Sequence, residues 1–173
     1  MRLNRLVSWL IAVFLLSWAT PVWAEAPSGV PFTQQYTPPA SYSNAELAGK
    51  DFSGQTLKVA EFSNANLNRA NFSNANLQGA VLSASTLTET NLRGADLTQA
   101  MADQAKFVRT DLSNAILHDT ILLRSTFEDV AITGTDFTGA MLDGAQVKEL
   151  CQVASGVNAT TGVDTRESLG CRG

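Results

Sequence analysis

Ala60-Glu-Phe-Ser-Asn-Ala-Asn-Leu-Asn-Arg-Ala-Asn-Phe-Ser-Asn-Ala-Asn-Leu-Gln-Gly-Ala80 repeats one five-residue phrase: a small residue, a polar residue, Leu or Phe, then two more polar residues. Followed outward, the large apolar position recurs without a slip from Leu47 through Phe52, Leu57 and Phe62 to Phe137, Leu142 and Val147. Of these 21 registers, 18 hold Leu or Phe, the exceptions being Ala102, Ile132 and Val147. Two residues before it stands Ala in 12 registers and Ser or Thr in 6, leaving Lys50, Gln55 and Val130. An amphipathic helix needs apolar spacings of three and four, and a half-buried strand needs alternation, so neither accounts for a period of five. The chain must turn after each short extended piece. A unit this short cannot bury its own side chain and must stack on copies of itself.

Slower periods count the units in one turn of the stack. Positions 54, 74, 94, 114 and 134 read Gly, Asn, Gly, Asn, Gly, the residue types that most readily take a left-handed backbone, and they mark one corner in every twenty residues. Positions 69, 89, 109 and 129 read Arg, Glu, Arg, Asp, opposite charges that stacking would bring to roughly 4.8 Å. Four pentapeptides per coil, and about five coils in a column on the order of 25 Å tall, satisfy both.

The frame resembles the A(D/N)LXX signature of the pentapeptide-repeat proteins, met literally in Ala65-Asn66-Leu67, Ala75-Asn76-Leu77 and Ala95-Asp96-Leu97. The resemblance implies an all-β fold, a right-handed quadrilateral β-helix with the large and the small residue inside and the other three outside. It covers the repeat region, assigned here to 45–149, and it specifies fold far more tightly than role.

Ahead of the repeats, residues 1–24 read as a cleaved secretory signal. Arg2 and Arg5 precede an apolar run from Leu6 to Trp18, Pro21 breaks it, and Val22-Trp23-Ala24 places small residues for cleavage between Ala24 and Glu25. A run of 13 residues falls short of the roughly eighteen that an anchor needs. Without the signal, 10 basic residues face 16 acidic ones, a net charge of -6. That balance, with no Lys/Arg run, argues against nucleic acid or anionic lipid as partners. Residues 25–44 form a Pro-rich arm carrying Phe32, Tyr36 and Tyr42. Lys50 and Gln55, polar at inward slots, predict an irregular first coil.

Residues 150–173 read as a C-terminal cap. Leu150 to Ala154 predicts a short helix stopped by Gly156, and a second begins at Asp164, with Glu167 at capping-box spacing, and ends at Gly170. In an exported chain Cys151 and Cys171 are expected to form a disulfide worth roughly 3 kcal/mol; the alternative, a two-thiol metal site, lacks further ligands nearby. The tail from Leu150 to Cys171 also resembles the ending of pentapeptide-repeat proteins of the thylakoid lumen of cyanobacteria and chloroplasts. With the signal, that likeness implies a thylakoid-lumen or periplasmic protein of a cyanobacterium-like cell.

Chemistry-bearing residues are few. His118, the only histidine, follows the inward Leu117 and is expected on the solvated surface. The hydroxyls sit in repeat slots with no base placed beside them, and the carboxylates are scattered. Asn158-Ala159-Thr160 matches a glycosylation acceptor, read here as chance. No catalytic, cofactor or metal residue is expected. The predicted role is a non-catalytic exported scaffold or interaction module binding a protein or a second copy of itself, without cofactor, nucleic acid or membrane. The alternative is a DNA-mimicking inhibitor of an enzyme such as gyrase, which both the export signal and the alternating charges oppose.

One feature points to where a partner would bind. The residue before the large apolar one should be polar, yet Val81, Met101, Ile121 and Met141 break the rule at spacings of twenty, and so should stack on one side. Ile116 and Leu123, on or beside that side, extend the stripe. Such a contiguous stripe marks contact with something, either the Pro-rich arm with Phe32 and Tyr36 or a partner surface.

Overall fold

Parallel bridges joining residues twenty apart run the length of the repeats, from Ser41↔Glu61 and Glu46↔Asn66 to Ile116↔Asp136 and Ile121↔Met141. This computed structural model describes residues 39–172; the expected signal segment, its Ala24–Glu25 cleavage point, and the arm residues Phe32 and Tyr36 lie outside the described residues. Each pentapeptide contributes one bridged residue, one inward residue and a two-residue turn. Pairing twenty apart therefore stacks every fourth pentapeptide and builds a parallel β-helix. Among the described residues, three pieces are long enough to count as strands, β1 (Thr86–Thr88), β2 (Lys106–Val108) and β3 (Thr126–Glu128), paired in the order β1-β2-β3. Their register also advances by twenty, Leu87↔Phe107↔Phe127.

The inward slots fill the column. Every large frame residue from Phe52 to Phe137 is buried, as are the small residues from Ala60 to Ala115. Rings twenty residues apart stack flat, Phe52 on Phe72 at 4.8 Å and Phe107 on Phe127 at 5.1 Å, while rings ten apart meet edge-on, Phe62 with Phe72 at 5.5 Å. Where the small residue is Thr, its hydroxyl donates to a carbonyl 23 residues earlier, Thr90 to Leu67 and Thr120 to Leu97, both at 2.8 Å. A buried hydroxyl is thereby satisfied in an apolar core.

The turns hold a result that the sequence understated. Instead of one corner in four, every corner carries a left-handed residue at its second turn position. Gly54, Asn74, Gly94, Asn114 and Gly134 do so as expected, but Val59, Arg69, Glu89, Gln99, Asp119 and Arg124 do as well. At most corners the small residue's N–H closes the turn on the large residue's carbonyl, as Ala65 does on Phe62 at 3.0 Å. That closing bond together with a positive φ at the residue before the small one is the type II arrangement, and the chain adopts it there whatever the side chain.

Both ends differ from expectation. Tyr42, assigned to the arm, occupies an inward slot and stacks on Phe62 at 4.9 Å, so the frame starts one register early. The first coil is regular in its backbone: Lys50 and Gln55 close their turns and flank the ordinary bridge Asp51↔Asn71, with both side chains exposed. At the other end the frame stops at Leu142. Val147 lies in α1 (Gly144–Val153), which crosses the boundary expected at 149 and replaces the shorter helix expected from Leu150. Asp143 starts α1 with a full capping box, its carboxylate accepting from Ala145 and Gln146 while the Gln146 side chain accepts from the Asp143 N–H. The second helix, α2 (Thr165–Ser168), has Asp164 as its N-cap, and Gly170 follows it with φ of +67°. Cys151 and Cys171 form the expected disulfide, with Cα atoms 5.6 Å apart.

Two side-chain amides seat the cap. Gln146 Nε2 donates to Leu122 O at 2.8 Å and Ser125 O at 2.7 Å. Asn158, buried, donates to Gly134 O at 2.8 Å and to Asn114 O and Ala115 O at 3.2 Å, and accepts from the Thr160 and Thr161 amides.

Two substitutions test these features by chemical denaturation. Val59, exposed and β-branched at φ of +52°, carries a backbone strain of about 1–2 kcal/mol. Val59→Asn is expected to stabilise by about 1 kcal/mol, since Asn tolerates that conformation; no gain would mean that Val59 is not strained. Asn158→Ala is expected to cost about 3 kcal/mol through unpaired carbonyls and amides, with the cap becoming protease-sensitive before the column unfolds.

Candidate functional site

Because bridging fixes which outward side chains are neighbours, the apolar stripe can be checked rung by rung. Val81↔Met101, Met101↔Ile121 and Ile121↔Met141 are all bridged, so these four residues form one continuous ladder above Glu61. Met101 is 41% exposed and Met141 52%, while Val81 and Ile121 are half-buried. Leu123, 40% exposed, follows the inward Leu122 on the same run of the chain. Ile116 sits one pentapeptide earlier, bridged to Asp96 and Asp136, and is therefore beside the ladder and not on it. Asp103 borders the ladder. Hydrogen bonds from the Ser83 hydroxyl at 2.6 Å and from Gln104 at 3.0 Å lower its pKa and keep that border anionic.

His118 is not the free surface residue that its slot suggested. Its Nε2 lies 2.6 Å from Asp136 Oδ2, and the Asp136 side chain is fully buried. Gln78 makes the equivalent diagonal contact to Asp96 at 2.5 Å, also across 18 residues, so the arrangement belongs to the stacking. Both carboxylates accept from the amide and hydroxyl two residues on, Thr98 for Asp96 and Thr138 for Asp136, at 2.9 and 2.6 Å in each case. Asp136 differs because the cap reaches it: Thr161 Oγ1 donates to the same carboxylate at 2.7 Å. Burial by itself would raise the pKa of this carboxyl. Hydrogen bonds from Thr138, Thr161 and His118 outweigh burial and hold it at about 2, against a usual 3.8. With its oxygens taken by four donors, Asp136 ties the last repeats to the cap.

Among the described residues, no group of three or more His, Cys, Asp or Glu side chains is placed to hold a metal ion, and no helix is long and apolar enough to cross a membrane. The expected ion pairs form in part: Glu89 meets Arg109 at 2.9 Å and Arg69 at 3.8 Å, whereas among the described residues no ion pair includes Asp129.

The family model for pentapeptide repeats matches eight copies, over residues 43–74, 65–101, 75–114 and 111–147. The chain belongs to the pentapeptide-repeat family. Among solved structures, it is similar to a pentapeptide repeat protein from the Arabidopsis thaliana thylakoid lumen, with 42% identity over 76% of this chain and 91% of that one and a TM-score of 0.75. It is also similar to HetL, a pentapeptide repeat protein involved in heterocyst differentiation regulation in the cyanobacterium Nostoc sp. strain PCC 7120. That likeness has 23% identity over 60% of this chain and 49% of HetL, with a TM-score of 0.57, and shows the fold alone. No curated protein sequence matches the chain. Pentapeptide-repeat membership implies that the β-helix is right-handed.

Within this pentapeptide-repeat chain, the cap makes contacts that the sequence did not disclose. Gln146 carried a signal, since Asp143-x-x-Gln146 has capping-box spacing. Asn158 carried only its glycosylation pattern, and the buried amide is committed to carbonyls instead.

The Asp136 tie has a definite pH signature. A carboxyl whose pKa is lowered on folding stabilises the folded state above its unfolded value, by about 2 kcal/mol here. That contribution is lost as pH falls through about 2. Asp136→Asn is therefore expected to be less stable than the parent at neutral pH by about 2 kcal/mol, with the gap closing as pH falls from about 4 toward 2. Denaturation curves across that range check it; a constant gap would place the acid sensitivity on other groups.

Proposed function

We propose that this chain is a non-catalytic scaffold, exported to the thylakoid lumen or periplasm, that holds a protein partner on its Val81–Met101–Ile121–Met141 ladder. The observation that carries the reading is the 42% identity along 91% of a thylakoid-lumen protein. The amino-terminal signal pattern supports export, with cleavage between Ala24 and Glu25. We take the column as quadrilateral with about five coils, a count that follows from the 21 registers between Tyr42 and Leu142 taken four to a coil.

A rigid column filled by its own Leu and Phe side chains has its outer surface available for recognition. On that surface the ladder is where polar residues give way to apolar ones over successive rungs, and contiguous exposure of this kind marks an interaction site. The paired charges Arg69–Glu89–Arg109 favour this reading over imitation of DNA, which needs an unbroken negative stripe.

The test combines location with contact. Tagged protein is expected in the lumen or periplasmic fraction and, after crosslinking in place, in a discrete adduct. Met101→Glu with Ile121→Glu should abolish that adduct while leaving the β-dominated circular dichroism and the melting curve intact. Recovery from the cytoplasm would overturn the location, and an adduct that survives the double substitution would overturn the ladder as the interface.

A further inference from the structure

The C-terminal cap is neutral overall but sorted by charge. Residues 144–172 hold three cations, Lys148, Arg166 and Arg172, and three carboxylates, Glu149, Asp164 and Glu167. All three cations line one open cavity of about 570 Å³ between α1 and the segment that follows α2, and none of the three carboxylates does. Glu149 and Glu167 line other depressions, and Asp164 is occupied as the N-cap of α2. Residues 39–143, by contrast, carry seven Lys/Arg against twelve Asp/Glu. The cavity is thus a cationic spot on an acidic protein.

Its construction is not that of a bare anion site. Val147 and the Cys151–Cys171 disulfide supply apolar wall between the cations. Val147, Lys148 and Cys151 share one face of α1 through helical spacing. Arg166 is fixed in place by donating from Nη1 to Cys151 O at 2.9 Å. None of the ion pairs found among the described residues includes Lys148, Arg166 or Arg172. A volume of this size lies in the range of built ligand sites, which combine an apolar lining with a few placed polar groups. An inorganic anion would use the cations and leave the apolar wall idle. A short peptide that alternates carboxylate and aliphatic side chains would use both.

We infer that this cavity binds an acidic, aliphatic peptide segment of a partner protein. The inference rests on the scaffold reading and gives that partner a chemistry, while using a surface separate from the Met101 ladder. Cation and carboxylate attract over a range that salt shortens, so binding should weaken as ionic strength rises.

The experiment is fluorescence anisotropy with the purified, disulfide-bonded chain and a fluorescein-labelled peptide of alternating Glu and Leu. Lys148→Gln with Arg172→Gln, both exposed positions, is expected to weaken binding at least about tenfold. Arg93→Gln with Lys106→Gln, cations of the column, should leave it unchanged. Equal loss in both variants, no loss in the first, or a dissociation constant above about 1 mM for the parent would overturn the inference. Displacement by free glutamate at equal carboxylate concentration would also overturn it, by reducing the site to one for simple anions. The crosslinking test of the ladder uses neither this peptide nor these residues, so the two readings fail separately.

Discussion

The amide ladder along the column is the interaction on which everything else rests. An inward residue donates its N–H to a carbonyl nineteen residues ahead, as Leu67 does to Thr86 O, and the bridged residue before it donates to a carbonyl twenty-one residues behind, as Asn66 does to Ala45 O. These bonds fix the rung spacing, and the rung spacing fixes what may stand inside. Phenyl rings stack at 4.8 to 5.1 Å because the ladder sets them that far apart, and outward carboxylates, amides and charges meet their counterparts one rung away for the same reason. The cost falls on the corners, where a left-handed backbone is imposed on Val59, Glu89 and Arg109 as firmly as on glycine.

A ladder must end, and the way it ends explains the cap. Within the column, Lys106 N–H donates to Ser85 O and Thr126 N–H to Ala105 O, an offset of twenty-one. The same offset from Ser125 O falls on residue 146, whose backbone has already turned into α1. Gln146 meets that carbonyl with its side chain instead, at 2.7 Å. The Ser168 hydroxyl accepts from Phe137 N–H at 3.1 Å, and Asn158 donates to Gly134 O at 2.8 Å. Side chains of the cap thus stand in for the backbone of a coil that is never built, which keeps the last edge from offering unpaired groups to another chain.

This also separates what could be read from the sequence and what could not. The period of five and its slower harmonics describe interactions that recur, so the rung length, the inward residues and the stacking of Val81, Met101, Ile121 and Met141 were all legible. Interactions made once were not. Val147 satisfies the period by coincidence, and nothing in a five-residue frame weighs it against the Asp143–Gln146 capping box that starts a helix three residues earlier. His118 occupies an outward slot, as the frame says, but the frame does not disclose that it pairs with Asp136, a buried carboxylate that also accepts from Thr161 of the cap. The corners were understated for a different reason. Gly and Asn mark a left-handed residue in the sequence, while Arg, Glu and Gln adopt one without any mark, being held there by the ladder.

Asn158 carries a consequence for anyone producing this protein in a secreting eukaryotic host. Its Asn-Ala-Thr triplet is a valid acceptor, and transfer of a sugar happens on the unfolded chain. A glycan on Nδ2 would remove a hydrogen that the folded amide needs for its carbonyls and would place a bulky group in a site with 1% exposure. Modification and cap closure are therefore mutually exclusive fates of one molecule, and the extent of glycosylation at this position would act as a clock for how quickly the end of the column is sealed.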